Sequence, residues 1–213
     1  MKRIALLITI LCGLLHNSSA TPLKQNQTNN ILQNAINKVK NNGGIEAQFS
    51  VAVLNNSVET NSTQGVIQLK ANQFKIVMPA ITVWFNGKTQ WTMQTGSDEV
   101  NVSNPTPEEL RTINPYALID VYQKDYTCTH KKTTYQGRTC NEVTLKAKNK
   151  ERMQEIILNI DAKNHQVLSA KVKQNNQWIY FKIVGYKENM NWGNQHFTFS
   201  TKEYPNVEVI DLR

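Results

Sequence analysis

Few residues in this chain have the types and spacing that catalysis or metal binding requires. His130, His165 and His196 are far apart in polar surroundings, and no His-Glu-x-x-His or comparable metal-binding spacing occurs. The sequence also lacks a Gly-x-Ser-x-Gly motif, a phosphate-binding loop and a dinucleotide-binding glycine pattern. It therefore predicts a protein that is not an enzyme and that uses no metal or cofactor.

Adjacent carboxylates are the remaining chemical candidates. Asp98-Glu99 belongs to a predicted turn, and Glu108-Glu109 belongs to the start of a predicted helix. A glycosidase-like hydrolase would need two carboxylates facing each other across a cleft. An exported hydrolase of this kind is the enzymatic alternative.

The N-terminus has the parts of a cleavable signal peptide. Lys2 and Arg3 precede the apolar run Ile4 to Leu15, which is too short to span a bilayer. Small residues follow, so we expect cleavage after Ala20; a membrane anchor is the alternative. Residues 21–213 then form a single exported domain, in which the polar residues 21–30 are expected to be flexible.

Two cysteines, Cys128 and Cys140, remain after removal of the signal peptide. They flank the polar run 129–139, which contains Gly137 and has the composition of a hairpin connection. An even pair of cysteines in an oxidising compartment predicts a structural disulfide between them. A redox-active pair would need a Cys-x-x-Cys motif, which is absent.

The chain carries a formal net charge of +8, but its lysines are scattered. No basic helix, dense basic tract or nucleic-acid-binding module occurs, so we expect no nucleic-acid partner. We expect the protein to be a monomer.

Apolar residues recur at helical spacing over residues 31–40, and Gly43 and Gly44 follow as a helix stop. The period then changes to two, and Asn86-Gly87 is a strong hairpin signal. The predicted strands are 45–54, 65–79 with a break at Ala71-Asn72, 80–85, 89–94, 99–102, 141–147, 152–161, 166–173, 177–186, 195–200 and 207–211. This mainly β (α+β) pattern predicts an incomplete, strongly curved antiparallel β-barrel of about eleven strands.

A helical interruption divides the strands. Thr106, Pro107 and Glu109 have the spacing of a capping box, and Asn114-Pro115 is a second helix start. The predicted short helices, 107–113 and 115–122, carry apolar residues that need a partner. We expect them to form a lid over the sheet.

The predicted sheet has more apolar surface than three short helices can cover, so we expect a cavity for a hydrophobic ligand such as an acyl chain. Methionines would give it deformable walls. The alternative is that these residues only fill a core. The candidate cavity and lid residues are Phe49, Val51, Leu69, Phe74, Ile76, Met78, Trp84, Trp91, Met93, Leu110, Ile113, Tyr116, Leu118 and Ile119.

Five segments in order carry a resemblance to a known family. They are 65-GVIQLKANQFK-75, 85-FNGKTQW-91, 104-NPTPEEL-110, 114-NPYALI-119 and the ending 204-YPNVEVIDLR-213. Behind a signal peptide, this set resembles the LolA-like outer-membrane lipoprotein carrier family over nearly all of residues 31–213.

The resemblance implies an incomplete antiparallel barrel closed by helices, and a periplasmic chaperone that shields lipoprotein acyl chains. It implies an inner-membrane lipoprotein-releasing ABC transporter as donor and an outer-membrane acceptor. The family's lid-latching arginine matches Lys70 here, and lysine lacks the planar fork of arginine. The alternative function is a carrier or sensor for another hydrophobic ligand, such as a phospholipid or glycolipid.

Overall fold

The computed structural model describes residues 22–107, 109–110, 125–149 and 153–213. One long helix, α1 (Pro22–Lys40), precedes the sheet, and a 3₁₀ helix (Asn194–Phe197) follows β11. The strands are β1 (Ile45–Asn55), β2 (Val58–Lys70), β3 (Gln73–Met78), β4 (Ile81–Phe85), β5 (Gln90–Gln94), β6 (Glu99–Ser103), β7 (Tyr126–Tyr135), β8 (Arg138–Ala147), β9 (Met153–Asp161), β10 (Val167–Gln174), β11 (Gln177–Glu188) and β12 (Glu208–Asp211).

All twelve strands belong to one sheet in the order β12-β6-β5-β4-β3-β2-β1-β11-β10-β9-β8-β7. Every pairing is antiparallel except that of β12 with β6. The mainly β, antiparallel fold class predicted from the alternating pattern is therefore confirmed. No helix among the described residues combines the length and apolar character needed to cross a bilayer.

The contacts of α1 show that the sheet curls. Leu32 packs in a cluster that includes β7, whereas Val39 packs against a cluster on β1 to β4. These two residues are about 10 Å apart along the helix axis. In a flat sheet, β7 and β2 would be about 29 Å apart. One helix reaches both because the sheet bends around it.

The sheet has two faces with different covers. The helix face, which carries Ile45, Ile67 and Phe74, packs against α1. The opposite face carries Trp84 and is covered over part of its area by residues that follow β11. We call residues 189–213 the C-terminal arm, and this second face the arm face.

Three expected elements differ from the structure. The first helix begins at Pro22 and not at Ile31, so it also includes residues 22–30. The strand predicted over 195–200 is wrong, because Asn194–Phe197 form a 3₁₀ helix that packs through the buried Phe197. β7 occupies most of the predicted hairpin connection 129–139, and only Gln136-Gly137 form the turn.

This longer hairpin makes the predicted Cys128–Cys140 disulfide wrong. Cys128 lies opposite Leu145, whereas Cys140 lies opposite Thr133. The two cysteines are thus offset by five positions, roughly 17 Å along the strands, whereas a disulfide needs Cα atoms within about 7 Å. An odd offset also puts the side chains on opposite faces, and both thiols are free and buried.

Gly65 lies where two side chains on the helix face approach the backbone of β2 closely. It lies opposite Phe49 in the β1–β2 register. A Cβ atom on Gly65 would meet the Phe49 ring at 2.7 Å, Met78 Cγ at 2.8 Å and the Val77 carbonyl oxygen at 2.9 Å. The absence of a side chain therefore lets Phe49 and Met78 pack over β2.

We expect both cysteines to react as free thiols only after unfolding. Burial raises the pKa of Cys128 to about 11. Burial, and secondly the charge of Asp161, raises the pKa of Cys140. Maleimide labelling of the mature protein (residues 21–213) without reductant, followed by mass spectrometry, should add two labels in denaturant and few in native buffer. Labelling that requires prior reduction would show a disulfide instead.

We also expect Gly65→Ala to destabilise the fold by about 1–3 kcal/mol, because the added methyl group must displace Phe49, Met78 or backbone. Gly43→Ala is the matched control, since a Cβ atom at that position would meet no neighbouring group within 4 Å. Urea unfolding measures both variants. Equal midpoints for the two would contradict tight packing over Gly65.

Candidate functional site

The candidate site is an apolar cluster on the helix face, formed by the four strands β1 to β4. We call it the helix-face cluster. Its buried members are Ile45, Ala47, Phe49, Ile67, Leu69, Phe74, Ile76, Val83 and Phe85. Its partly buried margin consists of Val39, Val51, Met78, Ile81, Leu110, Ile183 and Tyr186.

Strand register brings these residues together. Leu69 lies opposite both Ile45 and Phe74, and Phe74 lies opposite Phe85. The Phe74 and Phe85 rings stack with centroids 5.0 Å apart and planes inclined by 30°. Since side chains directly opposite each other share a face, one continuous apolar surface crosses all four strands.

Two helical segments contribute to the margin of this surface. α1 supplies Val39, and the segment after β6 supplies Leu110. That segment begins with the predicted capping box: Glu109 N donates to Thr106 Oγ1 at 3.3 Å, and Thr106 N donates to Glu109 Oε2 at 2.7 Å. The capping box therefore fixes where the chain turns toward the helix-face cluster.

Seven of the predicted cavity and lid residues meet in the helix-face cluster. They are Phe49, Val51, Leu69, Phe74, Ile76, Met78 and Leu110. Ile113, Tyr116, Leu118 and Ile119 lie outside the described residues. Ligand binding by these eleven residues stays a prediction.

Trp84, Trp91 and Met93 do not belong to this cluster. They pack on the arm face with Val100 and Phe199. The reason is alternation: Trp84 lies between Val83 and Phe85, which both face the helix side. They therefore do not share a face with the other predicted cavity residues, and they help to attach the C-terminal arm.

Trp84 is the centre of that attachment. Phe199 and Tyr204 approach its indole ring edge-on, with centroids at 5.5 Å and 5.8 Å. Lys75, which lies on the same face of the sheet as Trp84, has its Nζ atom 5.4 Å from the centroid of the indole ring. With 2 % of its surface exposed, Trp84 is closed off from any ligand.

Lys70 also contacts the C-terminal arm. Its ammonium group donates to the backbone carbonyl of Trp192. It follows Leu69 on β2, so its side chain leaves the sheet on the face opposite the helix-face cluster. Lys70, the residue predicted to latch the lid, therefore contacts the arm and lies on the other side of the sheet from Leu110.

Sequence reasoning missed the central residues Ile45, Ile67, Val83 and Phe85. The alternation that predicted the strands also indicates on which face of the sheet each of these side chains lies. Trp84 was preferred because of its size, although its two neighbours in sequence share the face of Phe74 and Ile76. The Asn86-Gly87 turn sets the end of β4, and alternation back from that turn would have identified Phe85 and Val83 as residues of one face.

The polar groups that the sequence offered as chemical candidates do not form a catalytic or metal-binding arrangement in the part of the chain that the structure describes. Among the described residues, no group of three metal-binding side chains occurs. Asp98 and Glu99 are exposed near the β5–β6 turn, and Glu109 is engaged in the capping box. What the site presents is apolar area, which favours burial of a hydrophobic ligand by about 25 cal/mol per Å².

The fold has counterparts among solved structures. A DUF1329 family protein from Desulfovibrio piger superposes with a TM-score of 0.51 at 8 % identity, covering 84 % of this chain and 98 % of that one. An outer membrane lipoprotein-sorting protein domain from Vibrio parahaemolyticus gives 0.48 at 9 % identity, covering 85 % and 99 %. At such identities the likeness concerns the fold alone.

Sequence comparison identifies the family. No curated protein matches the chain. A family profile described as outer membrane lipoprotein carrier protein LolA, however, matches residues 19–177. That range contains β1 to β4 and both helical segments at the margin of the helix-face cluster. The chain therefore belongs to the LolA outer-membrane lipoprotein carrier family.

Proposed function

We propose that this protein is a periplasmic chaperone that binds lipoprotein acyl chains against the helix-face cluster. It carries them from the inner to the outer membrane and has no catalytic role. An inner-membrane ABC transporter supplies the lipoprotein, and an outer-membrane acceptor receives it. The signal peptide at residues 1–20 exports the single domain 21–213, which acts as a monomer.

The observation that carries the proposal is the continuous apolar face of β1 to β4, bordered by helical segments. It lies in the part of the chain that matches the carrier family. Seven apolar residues at its margin are only partly buried. A ligand that covered them would remove further apolar surface from water, which is the driving force expected for an acyl chain.

The energy of this burial fits a carrier. Each buried methylene contributes about 0.8 kcal/mol, so one long chain contributes on the order of 10 kcal/mol. That is enough to keep an acyl chain out of water. Release requires a surface that adapts, and Met78 supplies a flexible side chain at the margin.

Adjacent residues on β3 provide a direct test. Met78 belongs to the helix-face cluster, whereas Val77 is 40 % exposed and points to the other face. A photo-crosslinking amino acid at position 78 should capture an acylated lipoprotein, and the same amino acid at position 77 should not. Gel shift and mass spectrometry of protein recovered from the periplasm measure the adduct.

Each outcome has a distinct meaning. A lipoprotein adduct confined to position 78 supports the chaperone. A phospholipid or glycolipid adduct confined to position 78 keeps the binding face but replaces the cargo. Equal capture at both positions, or capture at position 77 alone, contradicts binding on the helix face. Release of lipoprotein from spheroplasts separates a lipoprotein chaperone from a lipid carrier.

A further inference from the structure

The C-terminal arm crosses the outside of the strands that form the helix-face cluster. Just after β11, Asn189 N donates to Asn42 Oδ1 at 3.0 Å, and Met190 N donates to the Gly44 carbonyl at 3.1 Å. A Cβ atom on Gly44 would lie 2.2 Å from the Met190 carbonyl oxygen. The arm backbone is thus held against the start of β1.

The next part of the arm is an aromatic cluster around one histidine. The His196 and Trp192 rings stack with centroids 5.1 Å apart and planes inclined by 4°. The Phe197 ring meets both edge-on and is fully buried. Lys70 of β2 holds the same part of the arm, because its ammonium group donates to the Trp192 carbonyl.

A hydrogen-bonded chain links this histidine to the sheet. His196 Nε2 lies 2.7 Å from Gln68 Oε1, and Gln68 Nε2 donates to Glu46 Oε2 at 3.0 Å. Glu46 Oε1 accepts from Lys187 Nζ at 3.0 Å. Because Gln68 uses its amide nitrogen on the carboxylate, its oxygen is left to accept a hydrogen bond from the Nε2–H group of His196.

We propose that the C-terminal arm is a pH-sensitive segment: protonation of His196 weakens the docking of residues 190–199 on β1 to β3. This behaviour does not depend on which ligand the helix face binds. It follows from the position of a single titratable ring between the arm and three strands.

Burial of the His196 ring, more than the charges around it, opposes its protonation. Burial, followed by the charge of Lys75 on β3, lowers the pKa of His196, whereas Glu203 of the arm and Glu46 of β1 act in the opposite direction. A released arm would return the ring to water and to an ordinary pKa of about 6.5. The docked arm therefore binds fewer protons, so docking is strongest above about pH 6.5 and weakens as pH falls through the lowered pKa.

Glu46 does not share this titration. Hydrogen bonds from Gln68 and then from Lys187 lower the pKa of Glu46. Its carboxylate stays ionised while His196 gains a proton, so the Gln68–Glu46 contact persists. The response near neutral pH consequently belongs to the histidine.

Hydrogen exchange of the full-length mature protein tests the proposal. Protection of residues 190–199, corrected for intrinsic exchange rates, should fall more than about threefold between about pH 7.5 and about pH 5.5, while β8 to β10 change little. His196→Gln keeps an amide donor near Gln68 but cannot titrate, so its protection should not depend on pH. His165→Asn, in the β9–β10 turn, is the matched control and should behave like the parent.

Lys70→Met provides a second measurement. It removes the donor to the Trp192 carbonyl, so the arm should lose protection at both pH values. The proposal would be overturned if lowering the pH reduced the protection of the arm equally in the parent and in His196→Gln. It would also be overturned by a parent arm whose protection is the same at both pH values.

Discussion

The pairing of β1 with both β2 and β11 is the constraint on which the rest of the structure depends. β1 lies in the middle of the sheet and joins the strands that precede the helical interruption to those that follow it. Its register sends Ile45, Ala47 and Phe49 to the helix face and Glu46 to the arm face. A shift of one residue would exchange the faces, so hydrophobic burial fixes this pairing.

The two faces have different kinds of cover, and the difference suits a carrier. On the arm face, Trp84 is enclosed by Phe199 and Tyr204, and β12 continues the sheet beyond β6. On the helix face, the apolar surface of β1 to β4 keeps a partly buried margin. The chain itself thus covers the aromatic residues of one side, while the other retains apolar area that a ligand can cover.

Much of the fold was predictable because its signals are local. Alternation identified most strands, Asn86-Gly87 identified a hairpin, and the Thr106 capping box identified a helix start. β7 was missed because an edge strand with one solvent-exposed side needs few apolar residues, and its threonines and lysines have the composition of a loop. The disulfide prediction failed for the same reason, since a long hairpin separates cysteines that a short one would have brought together.

The candidate site was predicted only in part. Phe49, Leu69, Phe74 and Ile76 follow from alternation, but Trp84 and Trp91 were chosen for size, and the register puts them on the other face. Lys70 was matched to a lid, whereas its ammonium group reaches Trp192, 122 residues later. The sequence by itself determined most strands, the Asn86-Gly87 turn and the Thr106 helix cap, because neighbouring residues carry those preferences. Only the tertiary structure decided which element covers each face, because that depends on contacts between residues far apart in the chain.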